Sequence, residues 1–195
     1  MKTEMIKKLR GMAYFTIDDL VRIFGMRQAS AHVLCSRYVK NGIFIRLKND
    51  FYILDEMWGH LTREDRFRIA NYLQVPSYIS FMTALSHYEI TTQVQRDFFE
   101  SASLKRSAAF EARGTDFKYY KLKKDYYFGF VKVKDFFIAT PEKALIDSLY
   151  LYSFGKYRLD LASIDMRRFD KTVLAAALKV FPEKTREAVK KLCRI

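Results

Sequence analysis

Residues 27–42 read RQASAHVLCSRYVKNG, and the chain continues directly into the alternating sequence GIFIRLKNDFYIL over residues 42–54. Apolar spacing in the first stretch predicts a helix from Gln28 to Asn41, with Gly42 as the residue that ends it. Alternation in the second stretch predicts two strands joined by a tight turn. A helix followed at once by a basic hairpin therefore organises the N-terminal part of the sequence.

Two shorter helices are predicted before this stretch. Apolar residues at helical spacing predict the first over residues 2–10, and Thr16 is expected to cap a second helix, which Gly25 ends. Two helices joined by a short glycine-containing turn match the helix-turn-helix pattern. Together with a hairpin whose tip is residues 48–50, they predict a winged helix-turn-helix domain over residues 1–60.

The outer face of the third helix suggests DNA binding. A winged helix can place this helix in the major groove while the hairpin tip contacts the neighbouring backbone. Arg27 and Gln28 begin the helix, where arginine can donate two hydrogen bonds to guanine and glutamine can pair with adenine. The predicted DNA-binding residues are Arg27, Gln28, Ala29, His32, Val33, Ser36, Arg37, Lys40, Arg46 and Lys48.

These residues divide by role. Ala29 and Val33 could meet thymine methyl groups, whereas the later basic residues are expected to contact phosphates, which gives affinity without sequence choice. The phosphate-contacting set is Arg37, Lys40, Arg46 and Lys48. Two alternatives stay open at this point: a merely solvated helix face, and a winged helix that binds protein.

The composition also favours a polyanionic partner. The 195 residues include 35 Lys and Arg against 22 Asp and Glu, which gives a formal net charge of +13. Nucleic acid is the commonest partner of such a chain, and an anionic membrane surface is its rival. A membrane surface would require an amphipathic helix with a basic polar face and a bulky apolar one. No membrane partner is expected.

Cysteine usage and the N-terminus indicate a reducing compartment. Cys35 and Cys193 lie far apart, without other Cys or His at metal spacing, so neither a disulfide framework nor a zinc site is expected. The basic start MKTEMIKKLRG is not followed by an apolar stretch, which argues against a signal peptide. We expect a cytoplasmic protein without a transmembrane segment.

The remaining residues, 61–195, are predicted to form a mixed α/β domain with an antiparallel sheet and C-terminal helices, so that the whole chain is α+β. Thr140-Pro141-Glu142 is a strong helix start. Lys143 and Asp147 follow it four residues apart and can pair on one helix face, which favours a structural role over a catalytic one. The predicted strands cover residues 117–122, 126–133 and 136–139, and the predicted helices residues 62–71, 81–88, 171–181 and 183–194.

Four segments resemble a known family. They are VPSYISFMTALSHYEI (75–90), SASLKRSAAFEARGTDFKYYKL (101–122), YFGF (127–130) and FFIATPEKALIDSLYL (136–151). In this order behind a winged helix they resemble the AbiEi family of antitoxins, which belong to type IV toxin–antitoxin systems of abortive infection and phage defence. The segment IATPEKALID is the most specific of them.

The resemblance implies a division of labour between the two domains. The N-terminal domain would bind inverted repeats in the protein's own promoter and repress its operon. The C-terminal domain would oppose a nucleotidyltransferase-like toxin encoded alongside, without a stable complex between the two proteins. Neither catalytic residues nor a cofactor are implied.

A second basic region offers a possible antitoxin surface, consisting of Lys105, Arg106, Arg113, Lys118 and Lys121. This dense positive charge could act on the nucleic acid that is the target of the toxin. Alternatively, its aromatic neighbours form a core and its lysines protect sheet edges from aggregation.

The sequence also bears on two other functional classes, an enzyme and a ligand-sensing repressor. An enzyme is not expected, because the sequence has no Walker loop, GxGxxG or GxSxG motif, and its three histidines lack metal spacing. A repressor whose C-terminal domain senses a small molecule is the main alternative. The residues fit monomers that bind inverted repeats cooperatively as well as a symmetric homodimer.

Overall fold

The computed structural model describes residues 2–193 and has a mixed α+β architecture, as the sequence predicted. The chain forms two compact units. The first extends to residue 69 and includes residues 110–114, and the second comprises residues 70–109 and the chain from residue 115 onward. The boundary predicted after residue 60 falls within the first unit.

The first unit contains three helices followed by a hairpin. Its elements are α1 (Lys2–Arg10), β1 (Phe15–Thr16), α2 (Ile17–Phe24), α3 (Gln28–Lys40), β2 (Phe44–Lys48) and β3 (Phe51–Leu54). The three strands form an antiparallel sheet in the order β1-β3-β2. The predicted helix and hairpin bounds are therefore confirmed to within a residue or two.

Local capping chemistry explains where α2 begins and ends. The Thr16 hydroxyl accepts a hydrogen bond from the Asp19 backbone N–H at 3.2 Å, and the Asp19 carboxylate accepts from the Thr16 backbone N–H at 2.9 Å. This reciprocal pair is a capping box. Gly25 ends the helix in the left-handed conformation, with φ of 62°, which glycine adopts without steric cost. The short turn between α2 and α3 follows from these two signals.

The second unit is built on a larger sheet. Its elements are β4 (Ser77–Ile79), α5 (Phe81–His87), β5 (Phe98–Ser103), β7 (Thr115–Lys121), β8 (Phe130–Val133), β9 (Phe136–Ala139), α6 (Pro141–Ser153), α7 (Lys171–Leu178) and α8 (Glu183–Cys193). Two further elements, α4 (Arg63–Leu73) and β6 (Ala108–Ala112), are divided between the units, because residues 63–69 and 110–112 cluster with the first unit. The strand order of the sheet is β6-β7-β5-β4-β9-β8.

This sheet is mixed, whereas the sequence predicted an antiparallel one. β4–β5 and β8–β9 are antiparallel pairs, but β5–β7 and β4–β9 are parallel. Parallel neighbours require intervening chain that returns to the same end of the sheet, and alternation within each strand carries no information about that return. The strand predicted over residues 126–133 is also shorter, because residues 124–126 form a 3₁₀ turn and Gly129 has a φ of 68°.

Helix α6 lies at the centre of the second unit. Thr140 caps it and Pro141 occupies its first turn, as predicted. Every residue from Lys143 to Leu149 is buried, so α6 presents no broad solvent face over that stretch. Among residues 2–193, no helix combines the length and the apolar character needed to cross a membrane.

Candidate nucleic-acid interface

Helix α3 separates a buried seam from an exposed face. Ala31, Cys35 and Tyr38 are buried at one-turn spacing in the core of the first unit, and Leu34 packs against that core while half-buried. Burial raises the pKa of the Cys35 thiol to about 12, so that it stays protonated. The apolar seam fixes the rotation of the helix, and the opposite side is thereby held in solvent.

The predicted DNA-binding residues lie on that solvent side and on the adjoining hairpin. Val33 is 68 % exposed, so its methyl groups face solvent. Lys48 is half-buried, with its Nζ 5.7 Å from the centroid of the Phe51 ring. The exposed members are Arg27, Gln28, Ala29, His32, Val33, Ser36, Arg37, Lys40 and Arg46.

The cations on this face are available to an external anion. No carboxylate of residues 2–193 lies within 4 Å of the charged groups of Arg27, Arg37 or Lys40. In the hairpin, the Arg46 guanidinium donates a hydrogen bond to the Asn49 side-chain oxygen in the turn. The Arg37 guanidinium also lies 5.6 Å from the Tyr38 ring centroid, but neither of these contacts neutralises the positive charge of the arginine.

One acidic residue borders the basic face. Asp50 is the last residue of the hairpin tip and has a φ of 56°, and its Oδ1 lies 3.7 Å from Nδ1 of His32 on α3. Helix and hairpin turn are thus linked by a contact that becomes an ion pair when His32 is protonated. The helix itself carries no acid, as the sequence indicated, but the turn brings a carboxylate to its edge.

The residues of the possible antitoxin surface are divided between the two units. Arg113 clusters with the first unit, where its guanidinium pairs with Asp55. Lys118 and Lys121 lie on β7 in the second unit, and Lys105 and Arg106 follow β5. All five are exposed. Whether they act in neutralisation stays a prediction.

Lys143 and Asp147 pair as predicted, but they do so in the interior rather than on a solvated helix face. Lys143 is 1 % exposed and Asp147 is fully buried. The carboxylate accepts hydrogen bonds from the Lys143 ammonium, the Tyr78 hydroxyl at 3.0 Å and the Ser80 hydroxyl at 2.7 Å. Spacing along a helix shows that two residues share a face, not whether that face is covered. We call these four residues the buried ionic network.

Aromatic rings enclose the ammonium end of the network. The Lys143 Nζ lies 5.4 Å from the Tyr78 ring centroid and 5.2 Å from that of Phe128, distances at which a cation is attracted to the ring face. A Cβ at Gly129 would come within 3.1 Å of the Lys143 side chain. Burial lowers the pKa of Lys143 and raises that of Asp147, and their mutual attraction opposes both shifts.

Glu100 is a further buried ionisable residue, and it is not among the site residues predicted from the sequence. It lies in β5 and is 2 % exposed. Its carboxylate accepts hydrogen bonds from the Tyr157 hydroxyl at 2.7 Å and the Tyr120 hydroxyl at 3.3 Å. Burial raises the pKa of Glu100 to about 7, against the opposing effect of the tyrosine hydroxyls. The sequence does contain one sign of this buried carboxylate: Glu100 lies in FFESAS (98–103), where every other residue is apolar or small.

Glu100 is expected to make stability fall as the pH rises from about 4.5 to about 7. The folded chain binds this proton more tightly than the unfolded chain, so the stabilisation is complete below pH 4.5 and is lost as the pH rises through about 7. The shift corresponds to about 3 kcal/mol. Urea unfolding at pH 5 and pH 8 measures it. Glu100→Gln cannot ionise and should lack this component; an unchanged pH dependence in that variant would contradict the assignment.

Within residues 2–193, no three His, Cys, Asp or Glu side chains cluster as a metal ion would require. Comparison with protein-family models and with curated proteins found no match to the chain. The geometry and charge of the surfaces described above, together with the sequence segments noted earlier, are therefore the basis for assigning a function.

Proposed function

We propose that the first unit is a winged helix-turn-helix that binds double-stranded DNA and represses the protein's own operon. The observation that carries this proposal is the outer face of α3, which is exposed and acid-free and lies beside a basic hairpin. Its arginines and lysine lack carboxylate partners among the described residues. Such a face fits the phosphate-lined major groove.

Each group has a distinct role in this proposal. Arg27 and Gln28 at the start of α3 contact base edges, and the exposed Val33 meets a thymine methyl group. Arg37 and Lys40 contact phosphates farther along the helix, while the hairpin contacts the adjacent backbone. Binding is then strongly salt-dependent, because each neutralised phosphate releases counterions.

We further propose that the chain is a type IV antitoxin of the AbiEi kind and acts in the cytoplasm. Support comes from the four sequence segments at residues 75–90, 101–122, 127–130 and 136–151 and from the order in which they follow the helix and hairpin. In this proposal the second unit opposes a nucleotidyltransferase-like toxin without forming a stable complex with it. Cells that express such a toxin from the adjacent gene should survive only when this protein is present.

Fluorescence anisotropy on the protein's own promoter tests the DNA-binding proposal. We expect promoter DNA to bind at least about a thousand-fold more tightly than random DNA of equal length at physiological salt. Affinity should fall steeply between 50 and 200 mM salt, by roughly 10³-fold or more for six or more phosphate contacts. Equal affinity for promoter and random DNA would contradict a repressor, whereas survival in the toxin assay tests the antitoxin role separately.

Replacing Asp50 by asparagine is expected to strengthen DNA binding. The substitution removes a carboxylate beside the basic face, and asparagine tolerates the positive φ of this position as well as aspartate does. Loss of one repulsive charge should improve affinity by roughly 3- to 10-fold at low salt, an effect that screening reduces. Anisotropy at 50 and 200 mM salt measures it. Asp125→Asn, an exposed aspartate of the second unit, is the matched control, and an equal gain there would assign the effect to net charge alone.

A second candidate function is a repressor whose second unit senses a small molecule. Two clefts in that unit, of about 660 and 450 Å³, favour it, because ligand sites commonly have volumes in this range. Promoter affinity that changes when a metabolite is added supports sensing. Toxin neutralisation without any added metabolite supports the antitoxin role.

A further inference from the structure

Two adjoining clefts in the second unit share Tyr120 and Lys156. The larger, which we call the lysine cleft, has a volume of about 660 Å³ and combines three ammonium groups with three rings. Its principal lining residues are Lys121, Lys123, Lys156, Tyr120, Tyr150 and Phe154. The described residues that line it include no carboxylate. This cleft is therefore suited to an anionic group that lies beside a flat, unsaturated one.

The smaller cleft, which we call the glutamate cleft, has a volume of about 450 Å³. Glu100 is its single carboxylate among the described lining residues, and Lys118, Lys156 and Arg158 are its cations. The carboxylate has about four acceptor sites and receives the two tyrosine hydroxyls and the Met82 backbone N–H. An acceptor site thus remains for a donor group from a ligand.

Of the two tyrosines that hold Glu100, Tyr120 lines both clefts and Tyr157 lines the glutamate cleft. The Tyr120 and Tyr157 rings meet edge to face, with centroids 5.5 Å apart, and Phe81 packs against both at 4.8 and 5.4 Å. The Lys118 Nζ lies 5.1 Å from the Tyr120 ring. These contacts hold the half-buried Tyr120 ring in place, and a ring held in this way can stack against a ligand ring.

We infer that the two clefts together bind a nucleoside phosphate. The phosphates lie among Lys121, Lys123 and Lys156, and the base stacks near Tyr120 and donates an N–H or amino hydrogen to Glu100. A nucleoside phosphate carries all three required features: an anionic end, a flat ring and a hydrogen-bond donor on that ring. This inference names the ligand class for the sensing function proposed above as the second candidate.

Isothermal titration calorimetry of the full-length protein with ATP, GTP, CTP and UTP tests the inference, with inorganic triphosphate as the anion-only probe. At least one nucleotide should bind about ten-fold or more tightly than inorganic triphosphate, because base stacking adds to the phosphate contacts. The double variant Lys121→Ala/Lys123→Ala should reduce the affinities for nucleotide and for inorganic triphosphate alike, by about ten-fold or more. Lys179→Ala/Lys191→Ala makes the same charge change at exposed sites outside both clefts and should leave binding unchanged.

Glu100→Gln distinguishes base recognition from anion attraction. This substitution should reduce the affinity for the favoured nucleotide by about ten-fold, because it removes a charged hydrogen-bond acceptor. The affinity for inorganic triphosphate should stay unchanged. Three outcomes would overturn the inference: equal affinity for nucleotides and inorganic triphosphate, no nucleotide binding up to about 1 mM, or binding of single-stranded oligonucleotides alone. Promoter affinity is measured separately, so failure here leaves the DNA-binding proposal standing.

Discussion

Replacing Asp147 by alanine is expected to reduce the free energy of unfolding by about 3–5 kcal/mol. The substitution removes the carboxylate that accepts from Lys143, Tyr78 and Ser80, and it leaves the Lys143 ammonium buried without its counter-charge. Because Lys143 is 1 % exposed, water cannot replace the lost partner without rearrangement. Urea unfolding followed by circular dichroism measures the change.

Two further variants make this prediction sharper. Lys143→Met with Asp147→Leu removes both charges and should cost less than Asp147→Ala alone, because no buried ion is left unpaired. Glu183→Ala breaks the exposed pair with Arg186 and should cost less than about 1 kcal/mol. If Asp147→Ala were as mild as Glu183→Ala, the network would not contribute to stability as argued.

The double variant Arg27→Ala/Arg37→Ala is expected to lose about 2–4 kcal/mol of DNA-binding free energy, or roughly 30- to 1000-fold in affinity. Arg27 is assigned a base edge and Arg37 a phosphate, so specificity and salt dependence should both change. The slope of log affinity against log salt should become shallower by about 1. Both side chains are exposed, and the fold should therefore be unaffected.

The control for this variant carries the same net charge. Lys179→Ala/Lys191→Ala removes two exposed cations from the second unit and should change promoter affinity much less. The single variants separate the two roles. Arg27→Ala should relax the sequence preference, whereas Arg37→Ala should reduce the affinity for all DNA sequences alike. Equal losses in the two double variants would mean that only overall charge matters, and the proposed orientation of α3 would be wrong.

Local signals allowed much of the first unit to be predicted. Thr16 and Gly25 mark both ends of α2 by capping chemistry, and the apolar seam of α3 specifies which side is buried. These signals act within a few residues, so a single sequence contains them. The predicted DNA-binding residues were accordingly found on the exposed side of α3 and on the hairpin.

The second unit could be predicted only in part. Thr140 and Pro141 marked the start of α6 correctly, but strand order and the two parallel pairings depend on contacts between distant segments. The burial of Lys143 likewise depends on what covers α6, which helical spacing cannot show. Glu100 was missed for the same reason, since its environment is assembled from Tyr120 and Tyr157 at far positions in the chain.

If α3 binds DNA as we propose, its length sets how many base pairs one copy of the protein can distinguish. Thirteen residues span about 20 Å at 1.5 Å per residue, and in this kind of docking three or four side chains reach base edges. A few base pairs recur far too often to mark one promoter among the roughly 10⁶–10⁹ competing sites of a genome. Specific recognition of one promoter would therefore require two copies of the protein bound side by side. A short α3 of this kind accordingly predicts an operator with two half-sites.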